Sequence, residues 1–405
     1  MQEVQGQAPE ANQEKMNYEI VALAVFILLI TLFLVLKRKN VELQKVIFPV
    51  LYFVLYKTKI GLHAMDRFSK NKKFVKVFNL LSVIIGFAGM GLICVLLVYN
   101  LYKIAFIPEA ISGVGLVLPI KAKGVFYVPF FYWIISILVV ASVHEFSHGM
   151  IARFHKVKIK SSGFAFLALL LPIIPAAFVE PDENGLKKKK TRQQLQVFAA
   201  GPFSNIVIGA AFLGLFLLLA PPLVNSALDF NGANITEISN DSVISGMNIS
   251  AGDTISRIDG MNISYVDDFV AAMQNRTPGE EIDIGTNRGN YSVVLGKNPK
   301  NDSKAYLGVA VGQNRDIKPK VKEKFGSFAP NAAMWIIGLF WWLYLLNVGI
   351  GIFNLVPVGP IDGGRMVYVS LLKRYREKRA KRIANWISII FLLVIVLNVV
   401  GGFVV

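Results

Sequence analysis

A polytopic α-helical membrane protein with one inserted, mostly β domain is the fold class predicted by this 405-residue sequence. Three observations predict it. First, 54% of the residues are hydrophobic and the mean hydropathy is +0.52. The apolar residues gather into uncharged runs close to the roughly 20 residues a helix needs to cross a bilayer. Second, the net charge of +17 is carried by Lys and Arg clustered in short segments beside those runs. Positive-inside topology explains this without a nucleic-acid partner. Third, between residues 230 and 318 the long runs give way to short alternating ones separated by turn residues, as in Thr254-Ile255-Ser256-Arg257-Ile258-Asp259 and Tyr291-Ser292-Val293-Val294-Leu295. The one cysteine, Cys94, lies in an apolar run, which excludes disulfides and thiolate metal sites.

Residues 1–16 are polar, rich in Gln, Glu and Asn, and expected to be disordered. Ile20 to Leu36 is uncharged and followed by Lys37-Arg38-Lys39. A cleavable signal carries its positive charge before the apolar run, so this reads as a retained span ending in the cytoplasm. Val46 to Tyr56, interrupted by Pro49, is half a span and reads as interfacial or re-entrant. Phe78 to Tyr102 then crosses outward and Val125 to Ala152 returns. Gly163 to Val179 is uncharged but holds Pro172 and Pro175. A plain helix tolerates these poorly, so a re-entrant loop or short strands are expected. Leu195 to Val224 crosses outward, Ala332 to Leu355 inward, and Asn385 to Val405 is a last span. The total is about six full spans and two shorter embedded pieces.

One helix is expected within the insert, at Val266 to Gln274. All seven Asn-x-Ser/Thr sequons of the chain lie there, at Asn234, Asn240, Asn248, Asn262, Asn275, Asn290 and Asn301. That clustering points to an extracytoplasmic, glycosylated domain and agrees with the sidedness counted from the charges. The expected organisation is a tail with accessory spans over 1–124, the first half of a membrane core over 125–229, the insert over 230–318 and the second half of the core over 319–405.

Chemistry concentrates at His144-Glu145-Phe146-Ser147-His148, at the end of an apolar run. Two histidines spaced i, i+4 on a helix share a face and can bind one metal ion. The adjacent glutamate can then act as general base toward a metal-activated water. Ionisable side chains at membrane depth are costly and usually functional. The charge-derived topology puts a second polar stretch, Asn354 to Gly364, at the same depth near the cytoplasmic face. Asp362 there would complete a His₂-carboxylate set, with a fourth position left for water as in hydrolytic zinc, although it could instead cap a helix beginning near Gly363. Two His and one carboxylate favour zinc, while iron or cobalt could use the same ligands. Asn205 and Asn354, amides in breaks of apolar segments, could each donate to a developing oxyanion or satisfy freed backbone groups. His63 and His155 lie in basic loops and read as solvated bystanders.

Taken together, four stretches resemble the site-2 protease family of intramembrane zinc metalloproteases. They are His144 to His148, Pro175-Ala176-Ala177-Phe178-Val179, Ala200-Gly201-Pro202-Phe203-Ser204-Asn205 and Asn354 through Gly364. The resemblance implies zinc, one ion per chain, on His144, His148 and Asp362, with Glu145 as the catalytic glutamate. It also implies single-span membrane proteins as substrates, while the apolar runs and the Lys/Arg distribution predict a multi-pass place in the cell membrane with the active site toward the cytoplasm. The insert resembles a PDZ domain through Ser245-Gly246-Met247, Ala251 to Gly260 and the helix from Val266. It has no Gly-Leu-Gly-Phe-type carboxylate-binding loop, so a size filter or docking surface is expected. The alternative is an inactive relative that binds partners through this domain. The intact set of His144, Glu145, His148 and Asp362 argues against that.

Overall fold

The computed structural model describes residues 9–47, 51–107, 113–169, 171–299 and 301–404. Two compact units form. One runs from Leu218 to Ile336 together with the residues up to Ile20, and the other holds Val21–Leu217 and Ile337–Val405. Six helices, among the described residues, contain a stretch long and apolar enough to cross a membrane. They are α1 (Pro9–Leu36), α3 (Lys72–Phe106), α4 (Phe130–Phe154), α6 (Thr191–Ala227), α9 (Phe328–Phe353) and α11 (Glu377–Val404). Short helices α2 (Leu62–Ser69), α5 (Glu183–Lys187), α8 (Pro319–Phe325) and α10 (Asp362–Leu372) lie between them.

Local chemistry sets several boundaries. Pro129 precedes α4 in an extended conformation, so the helix starts at Phe130, five residues after the apolar run begins. Asn71 caps α3 by accepting from Phe74 N–H. The first eight residues of the expected disordered tail lie outside the described residues, and helix α1 already runs from Pro9.

The two short apolar pieces became strands. β1 (Val41–Ile47) and β2 (Leu51–Thr58) form a hairpin in place of the expected interfacial or re-entrant segment. β5 (Ile159–Leu169) and β6 (Leu171–Pro181) form a second, and the sheet order is β1-β2-β5-β6, antiparallel throughout. The prolines fit because β6 is an edge. Val179 N–H points away from β5 to the Glu145 carboxylate. By alternation Pro175 has the same outward parity, where a missing N–H costs no ladder bond. A register shift between Leu167 and Ala168 accompanies Pro172, as proline at a bulge requires. A small parallel pair, β3 (Leu116–Leu118) with β4 (Val125–Tyr127), precedes α4.

Small residues let α3, an accessory helix, approach the core closely. A Cβ on Gly89 would stand 2.6 Å from Leu355 Cδ1, and one on Gly86 3.0 Å from Met366 Cε. Farther along, Asn100 Nδ2 donates to Asn398 Oδ1 at 2.6 Å and ties α3 to α11.

The insert carries β7 (Leu228–Ile238), β8 (Thr254–Ile258), β9 (Met261–Asn262), β10 (Glu281–Thr286), β11 (Gly289–Val294), β12 (Gly296–Asn298), β13 (Asn301–Tyr306) and β14 (Val309–Ile317). Its main sheet runs β11-β10-β8-β7-β14, with β9 on β8. Helix α7 spans Val266–Gln274, matching the sequence expectation. Ile235, Ile244, Ile255, Ile258, Ile282 and Ile284 belong to its core; Ile282 and Ile284 are the inward pair of the β10 alternation, while Ile244 comes from the turn between β7 and β8.

Candidate metal centre

One turn of α4 separates His144 from His148, and their rings stand 4.6 Å apart edge to face. The third member comes from the first residue of α10. Asp362 is not that helix's cap, since Ile361 occupies the cap position and makes no side-chain cap bond. The Asp362 carboxylate turns instead to the histidines. Its Oδ2 lies 2.9 Å from His144 Nε2 and 3.2 Å from His148 Nε2, and the two Nε2 atoms are 3.0 Å apart. Among the described residues this trio is the group of His, Cys, Asp and Glu placed to hold a metal.

The spacing fits zinc. In a tetrahedron with bonds of roughly 2.0–2.1 Å, adjacent ligands are about 3.3 Å apart, and the three observed separations fall just inside that. All three donors are otherwise shielded, with His144 and Asp362 buried. A buried carboxylate beside two imidazoles needs a positive partner, which a divalent cation supplies.

Backbone close packing delivers Asp362. The chain folds back from Leu355 over the first turn of α10, with Gly363 N–H donating to Asn354 O at 2.8 Å. A Cβ on Gly363 would lie 2.2 Å from Leu355 O, and one on Gly364 2.2 Å from Val358 O. Only glycine fits either place. This explains the Gly363-Gly364 pair in steric terms.

Helix α6 governs the other side of both rings. His148 Nδ1 donates to Val197 O at 2.6 Å, leaving Nε2 with its lone pair toward the metal position. Asn205 lies behind His144, fully buried, with its amide nitrogen 3.3 Å from Nδ1. The same helix approaches from the front at Gly201, where a Cβ would be 2.5 Å from His148 Nε2 and 2.7 Å from His144 Nε2. Val197 and Gly201 carried no chemical signal in the sequence beyond the small-residue stretch itself, because one acts through a carbonyl and the other through a missing atom.

Glu145 sits between the histidines in sequence, half-buried, and its Oε2 accepts from Val179 N–H in β6 at 3.0 Å. Asn354 is half-buried at the end of α9, and its carbonyl holds Gly363. His63 is exposed as expected. His155 is not a solvated bystander: at the end of α4 it contacts Gln196 Oε1 at 2.9 Å and Gln193 Nε2 at 3.3 Å. Burial pushes it below the ordinary histidine value, against the Gln196 hydrogen bond.

Comparison with known proteins gives the chain its relatives. The PDZ domain of an SdrC-like protein from Listeria monocytogenes aligns over 20% of this chain and 88% of its own, at 18% identity and a TM-score of 0.19. A Geobacillus thermodenitrificans solution structure covers 20% of this chain and 95% of its own, at 23% identity and a TM-score of 0.17. An uncharacterised Methanocaldococcus jannaschii protein is 26% identical over 381 residues, 91% of this chain and 90% of that protein. A Mycobacterium tuberculosis protein named as the zinc metalloprotease Rip3 is 43% identical over 42 residues, 10% of this chain and 11% of its own. The sequence model of peptidase family M50 matches residues 132–396, which takes in both histidines, Glu145, Asn205, Asn354 and Asp362. The chain belongs to peptidase family M50 and is a membrane zinc metalloprotease of the site-2 type.

Proposed function

We propose that this protease is an intramembrane endopeptidase that hydrolyses peptide bonds in or near the transmembrane segments of single-span membrane proteins, in regulated intramembrane proteolysis. One observation carries the reading. His144, His148 and Asp362 bring three donors within 3.2 Å of one another from α4 and from the start of α10, His148 and Asp362 being 214 residues apart. His144, His148 and Asp362 would hold one zinc ion per chain, which would supply Lewis-acid chemistry toward water and a carbonyl.

The protein's own groups do the rest. Glu145 takes the proton from the attacking water and delivers it to the leaving amine. Val179 N–H fixes the carboxylate's orientation, so the base is aimed by the strand beside it. Asn354, whose backbone carbonyl holds Gly363 N–H beside Asp362, is assigned the donation to the oxyanion of the tetrahedral intermediate. Asn205 takes a positioning role. Its contact is with His144 Nδ1, the ring nitrogen turned away from Asp362. With Nε2 committed to metal the ring's proton sits on Nδ1, and the acceptor it then needs is Asn205 Oδ1. In the orientation shown, that oxygen has no hydrogen-bond partner, so a half-turn of the amide breaks no existing bond to it.

A peptide bond inside a helix is shielded, so the substrate must be extended locally. The outward edge of β6, already packed along α4, offers a strand to add to. The charge distribution supports an active site toward the cytoplasm with the PDZ-like insert outside it. There the insert acts as a size filter or docking surface.

Zinc content of the detergent-purified protein tests the site without a known substrate. Wild type is expected to hold about one zinc per chain and Asp362→Ala much less. Equal zinc in both would remove Asp362 from the ligand set. Cleavage of a single-span reporter, with Glu145→Gln as the zinc-loaded inactive control, tests the activity.

A further inference from the structure

Every sequon of the chain falls in the insert, yet asparagine does not. The chain has 25 asparagines, and 11 of them lie in residues 228–317. Seven of these 11 begin a sequon, against none of the other 14. The structure divides the seven. Asn234 is half-buried on β7, a central strand that pairs it with Thr254 on one side and Gly312 on the other. The remaining six asparagines are exposed. An enzyme that glycosylates a sequon must reach the hydroxyl two residues on as well as the amide. Ser242, which completes the Asn240 sequon, is buried with its hydroxyl donated to Leu307 O. Ser250 and Ser264, completing those of Asn248 and Asn262, are half-buried.

Three sequons expose both members. Asn275 ends α7 with Thr277 beyond it, Asn290 sits near the start of edge strand β11 with Ser292, and Asn301 opens β13 with Ser303. At the last, Ser303 Oγ donates to Asn301 Oδ1 at 2.6 Å and Ser303 N–H at 3.1 Å. The amide is thereby polarised by its own sequon.

We propose that the folded insert is N-glycosylated at Asn275, Asn290 and Asn301, and that Asn234 and Asn240 stay unmodified. This rests on the extracytoplasmic placement given above. The donor is a polyisoprenyl-phosphate-linked oligosaccharide supplied by a membrane glycosyltransferase of the cell. The asparagine amide nitrogen attacks the anomeric carbon. The new N–C bond forms as the C–O bond to phosphate breaks, the lipid phosphate leaves with the electron pair, and the amide gives up one proton.

The test is peptide mass spectrometry of the full-length protein purified from its own membranes. Glycopeptides are expected at the three sites. The Asn275→Gln/Asn290→Gln/Asn301→Gln variant should migrate as a smaller species, as should Thr277→Ala/Ser292→Ala/Ser303→Ala, which keeps every asparagine. Occupancy at Asn234 would overturn the claim that the folded domain is the acceptor. In parallel, a Cys94→Ser protein carrying Ser245→Cys is exposed in intact cells to a membrane-impermeant maleimide. Labelling with no sugar at any site overturns the glycosylation proposal alone. No sugar and no labelling overturns it together with the placement on which it rests.

Discussion

Replacing Gly201 with alanine adds one methyl group, and the structure sets a large effect on metal binding against a small one on the metal-free fold. The new Cβ would stand 2.5 Å from His148 Nε2 and 2.7 Å from His144 Nε2. Both are about 0.8–1.0 Å inside the roughly 3.5 Å at which such atoms pack best. The two rings must turn, and they turn at the nitrogens proposed to hold the metal. Disturbing one supporting contact of a metal ligand costs about 10–100-fold in affinity. Displacing two ligands together is expected to cost at least about 100-fold, which corresponds to roughly 2.7 kcal/mol.

The metal-free protein responds differently. Gly→Ala in a helix interior gains about 1 kcal/mol, while two rings forced off their rotamers lose about 0.5–1.5 kcal/mol each. Its stability should therefore move by no more than about 2 kcal/mol. The assay is competitive chelator titration of zinc in detergent, paired with thermal unfolding in excess chelator. Wild-type zinc affinity in Gly201→Ala would refute the geometry assigned to the site. A melting point that collapses without metal would show that Gly201 serves folding instead.

Three further outcomes follow from other contacts. Asn205→Asp keeps an oxygen acceptor behind His144 and should hold zinc within about tenfold of wild type, whereas Asn205→Leu should lose about 10–100-fold; equal loss in both would reduce Asn205 to packing. Val179→Pro removes the N–H that Glu145 accepts, at an edge position where no ladder bond is lost; zinc content should survive while turnover falls by about tenfold or more, and unchanged turnover would discard the strand's role in aiming the base. In the insert, burial opposes ionisation of Asp253, but the Ser250 N–H and Arg288 outweigh it and hold the carboxyl below its ordinary value. A depressed carboxyl stabilises fully above its unfolded value of about 3.9 and loses that contribution as pH falls through the lower folded value, so acid unfolding of the insert followed by hydrogen exchange should shift to higher pH in Arg288→Ala.

Much of the site was legible because its chemistry rests on residue types that are costly at membrane depth. The His144 to His148 spacing names a helix face, and Asp362 among glycines and prolines names a turn, whatever the surrounding packing. Helix α7 was legible for a related reason, since its residues switch period against strands on both sides. The parts that escaped depend on atoms without a sequence signature. Val197 contributes a carbonyl, Val179 an N–H and Gly201 the absence of a side chain. The hairpin of β1 and β2 was read as an interfacial piece because an isolated half-span of apolar residues has the same composition whether it lies flat or pairs. Only the partner decides, and β5 lies more than a hundred residues away.

That separation has a bearing on how the molecule is made. The β2 strand leaves the ribosome before α3 and α4 exist, and its partner β5 follows about 104 residues later, judging by the Thr58 to Ser162 bond. At roughly 5–20 residues per second, the hairpin waits about 5–20 seconds with the β2 edge unpaired. An open edge is not tolerated in lipid, and closing so long a loop is slow. The growing chain must therefore keep that edge in a wet or protein-lined place until Ile159–Leu169 arrives. Assembly of this sheet is thus a timed event, in which an early segment is held back for a late one while α3 and α4, the helix that carries His144 and His148, are made between the two.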